Sequence, residues 1–386
     1  MLNPLHIDVV TETFPPEVNG VAMTLGRLTS GLRALGHRVR IYHPRQPSSG
    51  ATGHNGRLSE HPLPGIRIPL YRELRLGWPA TRRLVRDWER QRPDVLYVAT
   101  EGPLGWSAIR GADTLGIPVV SGFHTNFHLY SKHYHLGLLG PAIHRYLRAL
   151  HRKTDCTLAP TRALSDQLRE QGFGRVEVLQ RGVDTSLFNP GRRSNGLRRQ
   201  WGARENDVVC LYVGRIAEEK NLDEAVAAVC NAQAQLPAVR FVLVGDGPMR
   251  SQLAHNYPDF VFCGMRQGED LAQHYASGDL FLFPSRSETF GNVVTEAMAS
   301  GLAVVAYNEA AAGDHIRHGV NGLLVDRSLT TPDFARTTLT LCRDPDRAHA
   351  LGASAAHYAQ GLNWMTVVEQ FEAILSEQAG RHASET

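Results

Sequence analysis

Short apolar runs, each closed by glycine or proline and followed by a stretch of helical periodicity, recur along the whole of this chain. In the first half, Leu5–Val10 and Arg38–His43 read as strands flanking a helix from about Val21 to Leu35 that stops at Gly36. Val95–Ala99 and Val119–Ser121 read as later strands behind the turn signals Pro93 and Pro118, and Val176–Leu179 as another. Gln46–Gly65, rich in Pro, Ser, Gly and His, reads as an exposed loop. The pattern lapses into Arg, Ser, Asn and Gly over Gly191–Asp207, which reads as a linker, and resumes at Val208–Gly214. A helix over about Leu222–Gln235, a strand at Arg240–Val244, a helix and a short strand at Phe260–Cys263 follow. This alternation predicts an α/β protein of two parallel-sheet domains, residues 1–190 and 206–361, with a last helix over about 362–386. The ligand of such a protein is expected in the cleft between its domains.

The most informative stretch begins with the apolar run Leu280–Phe283, stopped by Pro284. A polar loop, Ser285 to Gly291, leads into a short helix ending at Gly301, with Asn292 as the expected N-cap; the strand Ala303–Tyr307 comes next. Such strand–helix–strand units place ligands at the carboxyl ends of their strands. The unpaired amides and positive dipole end of the helix favour a phosphate. Glu288 in the loop and Glu296 in the helix bracket this site, and carboxylates accept hydrogen bonds from hydroxyls. The pair therefore suits a ligand with hydroxyls on both sides of a phosphate, the layout of a nucleotide sugar.

Lys220 is one of only three lysines in the chain, and it ends the segment Gly214-Arg215-Ile216-Ala217-Glu218-Glu219-Lys220. Arg215 follows a strand and Lys220 precedes a helix, so both charges are expected at the carboxyl edge of the second sheet, facing the diphosphate. There they would stabilise the charge that builds on a departing nucleoside diphosphate. Gly20 lies between the first strand and its helix, where the backbone can approach a ligand closely. His124 follows the Val119–Ser121 strand and stands at its carboxyl end. Gly245-Asp246-Gly247-Pro248 lacks the third glycine of a dinucleotide fingerprint and reads as a turn beside the nucleotide, with Gly264-Met265-Arg266 as a loop near the base. The sequence contains no NTPase phosphate-binding loop, and its single Asp-x-Asp triplet, Asp344-Pro345-Asp346, reads as a helix cap. No essential metal or other cofactor is expected.

Charge adds a partner. Residues 1–190 hold 24 Lys and Arg against 15 Asp and Glu, whereas the rest is acidic, so the overall +3 hides a basic first half. Ile143, Tyr146, Leu147 and Leu150 form a helical stripe among Arg145, Arg148, Arg152 and Lys153. Such a helix can lie on an anionic membrane or pack its stripe on the sheet. Arg72, Arg75, Arg82, Arg83 and Arg86 add a second basic stretch in the same half. No apolar stretch approaches a membrane span, and the chain opens directly into a strand pattern, so the expectation is a cytoplasmic protein, or one peripheral on the inner face of the cytoplasmic membrane. Five widely spaced cysteines without C-x-x-C read as reduced thiols.

The Gly20 loop, His124, the G-R-x4-K segment and the E-x7-E arrangement with Phe290-Gly291 inside it, in this order along the chain, resemble the signature of retaining family 4 glycosyltransferases. The resemblance covers nearly the whole chain and implies the GT-B fold, two Rossmann-like, doubly wound domains facing across a cleft, with the last helix crossing back onto the first domain. It further implies that Glu288 contacts the donor hexose, that Phe290, Gly291 and Asn292 offer backbone amides, that Glu296 holds the ribose, and that His124 contacts the hexose near its anomeric centre. The branch that looks similar contains bacterial GDP-mannose-dependent α-mannosyltransferases and lipid-directed α-glycosyltransferases. The expected activity is transfer of a hexose, mannose from GDP-mannose or glucose from a UDP-sugar, to a hydroxyl of a membrane glycolipid, with no nucleic acid as partner. The alternatives are a sugar-nucleotide 2-epimerase and a non-catalytic nucleotide-sugar-binding protein. Where many family members have a glycine-rich loop, this chain has Ala310-Ala311-Ala312.

Overall fold

The computed structural model describes the chain apart from residues 1–3, 18, 47–57, 69–70, 125–139, 286–287, 289, 327–333 and 386. Two compact units emerge, Met1–Arg181 together with Trp364–Thr386, and Gly182–Asn363.

The first unit carries strands β1 (His6–Val10), β2 (Arg38–Pro44), β3 (Leu58–Leu63), β4 (Gly65–Ile68), β5 (Tyr71–Gly77), β6 (Val95–Val98), β7 (Val119–Gly122), β8 (Cys156–Ala159) and β9 (Val176–Val178). Seven of them form one sheet in the order β3-β2-β1-β6-β7-β8-β9, parallel throughout, and β4 and β5 form a separate antiparallel hairpin. Ile7, Val9 and Val10 of central β1 are fully buried. A parallel sheet covered on both faces wants continuous apolar strands, which is why these runs do not alternate. The helix Trp364–Glu385 belongs to this unit, where Val368, Phe371 and Leu375 join Leu25 and Leu28 of the helix Gly20–Ala34 in one core. The two helices meet at Gly31, where an added Cβ would lie 2.4 Å from Val368.

In the second unit, β10 (Val209–Val213), β11 (Arg240–Val244), β12 (Val261–Gly264), β13 (Leu280–Phe283), β14 (Ala303–Tyr307) and β15 (Leu323–Val325) form a parallel sheet in the order β12-β11-β10-β13-β14-β15. The chain runs outward from β10 through β11 to β12 and returns to the other side of β10 with β13. The order reverses between β10 and β13, the place where doubly wound sheets open a crevice for ligands.

Two expectations about the fold need correction. Within the expected loop Gln46–Gly65, Leu58–Leu63 is a strand pairing with β2; its Pro62 argued against a strand, but β3 is an edge strand, where proline costs no ladder bond. The Gly191–Asp207 segment is no linker. It folds into a short 3-10 turn and the helix Asn195–Gln200 on the second unit, and the division falls earlier, at Arg181 and Gly182. Its anchor is Arg198, fully buried, whose Nη1 lies 3.0 Å from Asp279 Oδ2 while the same oxygen accepts from the Val209 amide at 2.8 Å. The stripe of the helix Gly140–His151 packs inward through Leu147 and Leu150, whereas Arg145, Arg148, Arg152 and Lys153 are exposed. The aromatic and basic residues His128 to Leu139 that precede it lie outside the described residues, as do Arg286, Ser287, Thr289 and the Thr125–Phe127 segment.

Candidate active site

In the second unit the loops after β10 and β13 are stitched together at the switch point. Lys220 Nζ donates to Glu288 Oε1, joining residues 68 apart in sequence, and both side chains are largely buried. Ser285 Oγ donates to the same oxygen at 3.3 Å, and Asn221 Nδ2 donates to the Pro284 carbonyl, also at 3.3 Å. Arg215 is half-exposed and pairs with Glu219 at 3.1 Å. Its carbonyl accepts from the hydroxyl of buried Tyr212 at 2.9 Å, which ties the loop to β10.

The glycines after β11 have a packing reason. A Cβ on Gly245 would lie 1.9 Å from the Gly214 carbonyl oxygen, and one on Gly247 2.3 Å from that of Ile216. Both hold the Arg215 loop in close backbone contact, with Ile216 N donating to Asp246 O at 2.9 Å. Gly245 N in turn donates to Gly264 O at 2.9 Å, beside exposed Met265.

Asn292 is not the helix cap. The helix is Asn292–Ala299; Gly291 precedes it at φ 91°, a conformation open to glycine, and has no side chain with which to cap it. Phe290 is buried in the core, and its carbonyl accepts from Ala311 N at 2.8 Å. That neighbour follows Ala310, which takes up the left-handed region at φ 49° in the alanine stretch. One turn into the helix, Glu296 Oε2 accepts from the hydroxyl of Tyr275 at 2.9 Å. Burial pushes the Glu296 carboxyl up to about 7, with the Tyr275 hydrogen bond pulling the other way.

In the first unit, Gly20 opens the helix Gly20–Ala34, and Asn19 caps it, accepting from Val21 N at 3.1 Å and Ala22 N at 2.9 Å. Asn19 also donates to Thr13 Oγ1 at 2.7 Å, and Thr13 donates to Glu17, whose carboxyl is raised by burial. His124 follows β7 with Nε2 2.9 Å from the hydroxyl of buried Tyr97. Burial first, then nearby Arg181, lowers its pKa to about 3, so the ring is neutral throughout the working pH range.

The second unit thus gathers Arg215, Lys220, Glu288, Phe290, Gly291, Asn292, Glu296 and Gly245 around one sheet edge, with Met265 at the next loop. In the first unit Gly20 stands at the start of a helix and His124 just past the end of β7. Sequence reasoning missed the tyrosines beneath three of these sites: Tyr97 under His124, Tyr212 under Arg215 and Tyr275 under Glu296. For Tyr97 and Tyr212 the signal was there, a polar-tipped residue near the end of an otherwise aliphatic strand. Asn19 was equally legible as an N-cap. Asp344 of the Asp-x-Asp triplet is a helix cap, accepting from Arg347 N at 3.0 Å. Among the described residues, no group of three or more His, Cys, Asp or Glu could hold a metal ion, and no helix is long and apolar enough to cross a membrane.

Two Rossmann-like parallel sheets, each in its own unit, define the GT-B fold of glycosyltransferases, and solved structures agree: sucrose-phosphate synthase from Thermosynechococcus elongatus superposes with a TM-score of 0.76 at 20% identity, over 96% of this chain and 98% of that one. The model described as Glycosyltransferase Family 4 matches residues 18–187, and that described as Glycosyl transferases group 1 matches residues 207–344. Proteins named GDP-mannose-dependent alpha-mannosyltransferase are 33% identical in Corynebacterium glutamicum, over 96% of this chain and 88% of the relative, and 36% identical in Mycobacterium tuberculosis, over 83% and 84%. An alpha-monoglucosyldiacylglycerol synthase of Streptococcus pneumoniae is 25% identical over 87% of this chain and 81% of its own length. The chain belongs to the family 4 glycosyltransferases, and it is an enzyme of that class. The epimerase and non-catalytic alternatives are not favoured.

Proposed function

We propose that this enzyme moves a hexose, mannose from GDP-mannose in the first instance, to a hydroxyl of a membrane glycolipid with retention of anomeric configuration. The observation that carries the reading is the Lys220–Glu288 contact beside the N-terminus of the helix that carries Glu296, which gathers a cation, a carboxylate and the positive end of a helix dipole at one switch point. Arg215 and Lys220 bind the diphosphate, with the amides at Phe290, Gly291 and Asn292 beside them. Glu296 accepts the ribose hydroxyls and Glu288 those of the hexose. Met265 and the Gly245 turn lie toward the base, and Gly20 and neutral His124 act on the phosphate and the reacting sugar as the family resemblance implies.

In the reaction the bond from the anomeric carbon to the diphosphate oxygen breaks as the acceptor oxygen attacks the same face. The leaving phosphate oxygen takes the acceptor proton, so the products are glycoside and nucleoside diphosphate. Lys220 and Arg215 stabilise the charge that grows on that oxygen, and Glu288 orients the hexose without forming a covalent bond. No step calls for a metal. The lipid acceptor is supported by the diacylglycerol-modifying relative and by the exposed Arg145, Arg148, Arg152 and Lys153. Incubation with a panel of nucleotide sugars and bacterial lipid extract, read by mass spectrometry, tests it. A hexosylated lipid formed from GDP-mannose is expected; a product only with soluble sugars would overturn the acceptor, and one only from UDP-sugars the donor.

A further inference from the structure

Glu296 is held in an unusual way for a carboxylate inside a protein. Among the described residues no cation pairs with it, and the Tyr275 hydroxyl, from the helix Gly268–Ala276, is the group that bonds it, at 2.9 Å. Tyr275 itself cannot move aside. It is fully buried, with its ring edge-on to Phe188 at 5.6 Å and tilted against Phe281 at 5.9 Å, and Tyr212 of β10 stands near it as the other titratable group. A phenol locked by aromatic packing is a fixed donor aimed at one carboxylate oxygen, which leaves the second oxygen to accept from something else.

We propose that Tyr275 is a positioning residue for nucleotide recognition: it clamps Glu296 Oε2 and thereby presents Oε1, as an ionised acceptor, to the ribose hydroxyls of the nucleoside diphosphate. This rests on the ribose role proposed for Glu296. A hydroxyl donating to a carboxylate stabilises its charged form, so the clamp acts on charge as well as on direction. Burial already holds the Glu296 carboxyl at about 7, close to the working pH. Loss of the clamp therefore removes the charged acceptor where the enzyme operates, and the loss is reversed by alkali.

The test is calorimetric titration of GDP and UDP from pH 6 to 9 into wild type, Tyr275→Phe and Glu296→Gln. Phenylalanine keeps the ring packing, and unchanged melting of Tyr275→Phe confirms that the variant is folded. Subtracting the Glu296→Gln profile removes the titration of the ligand's own terminal phosphate. Tyr275→Phe is expected to bind about tenfold more weakly than wild type near pH 6.5 and to approach it by pH 9, a midpoint displaced upward by about one unit. A loss of equal size at every pH would mean a packing role only and would overturn the inference, as would wild-type binding throughout. If Glu296→Gln binds both nucleotides like wild type, the ribose reading itself fails; if only Tyr275→Phe does, that reading stands and the clamp falls.

Discussion

Replacing Lys220 by Ala removes the ammonium that lies against Glu288 and, in the proposed mechanism, beside the leaving phosphate. At 17% side-chain exposure Lys220 sits in a site where an effective dielectric constant of about 20 applies, so a full charge developing ~4 Å away gains about 4 kcal/mol from it. The ground-state diphosphate already carries part of that charge, so only part of the gain is specific to the transition state. About 3 kcal/mol of barrier remains, or a fall in kcat of roughly 100-fold or more. Binding of the free nucleoside diphosphate changes less, because Arg215 and the helix amides stay in place. Glu288 still accepts from Ser285, and Asn221 still bonds Pro284. Steady-state turnover with saturating donor, set beside calorimetry with the nucleoside diphosphate alone, separates the two effects. Turnover within a few-fold of wild type would remove Lys220 from the chemistry, and an equal loss in both measurements would make it a ground-state binding residue.

The two glutamates should part company in the same calorimeter: Glu296→Ala weakens nucleoside diphosphate binding, whereas Glu288→Ala leaves it nearly intact and impairs hexose transfer, and equal losses refute the assignment. Stability should depend on pH through Glu12, a buried carboxyl at the end of β1 that burial raises from 4.5 to about 7 although it accepts from Leu104 N at 3.0 Å. A raised carboxyl favours folding below its unfolded value and loses that contribution as pH rises through its folded one. Denaturation of the wild type should therefore weaken by up to about 3 kcal/mol between pH 4.5 and 8, and Glu12→Gln should flatten the curve; parallel curves would count against it. Gly245→Ala, whose Cβ would lie 1.9 Å from Gly214 O, must displace the Arg215 loop, and should cost about 2 kcal/mol or more with loss of turnover; wild-type melting and activity would contradict the packing argument. Exchange of Arg145, Arg148, Arg152 and Lys153 for Gln should weaken low-salt binding to anionic vesicles by about 1 kcal/mol per charge without touching nucleotide affinity, and indifference of the wild type to such vesicles would remove the support for a lipid acceptor.

The division of labour between sequence and structure follows from the range of the interactions. Apolar runs such as Leu280–Phe283 and Ala303–Tyr307 announced buried parallel strands, because a strand covered on both faces has no polar positions to spare. The Glu288 and Glu296 spacing announced a strand–loop–helix site, because capping and turn chemistry act within a few residues. Where burial and pairing depend on distant chain, the reading went astray. The β3 edge strand looked like a loop, since its Pro62 is tolerated only by virtue of lying at the sheet margin. The segment around Arg198 looked like a linker, since its polar residues gain their place from Asp279, far along the chain. Tyr275 carries no local mark of function at all: its hydroxyl has meaning only once two helices bring it to Glu296. Local composition and periodicity determined which segments became strands and helices and which residues could carry chemistry. Only the tertiary structure decided which of them meet, because the ion pair of Lys220 with Glu288, the closeness of Gly245 to Gly214 and the burial that raises Glu296 arise from packing between segments that are remote in sequence.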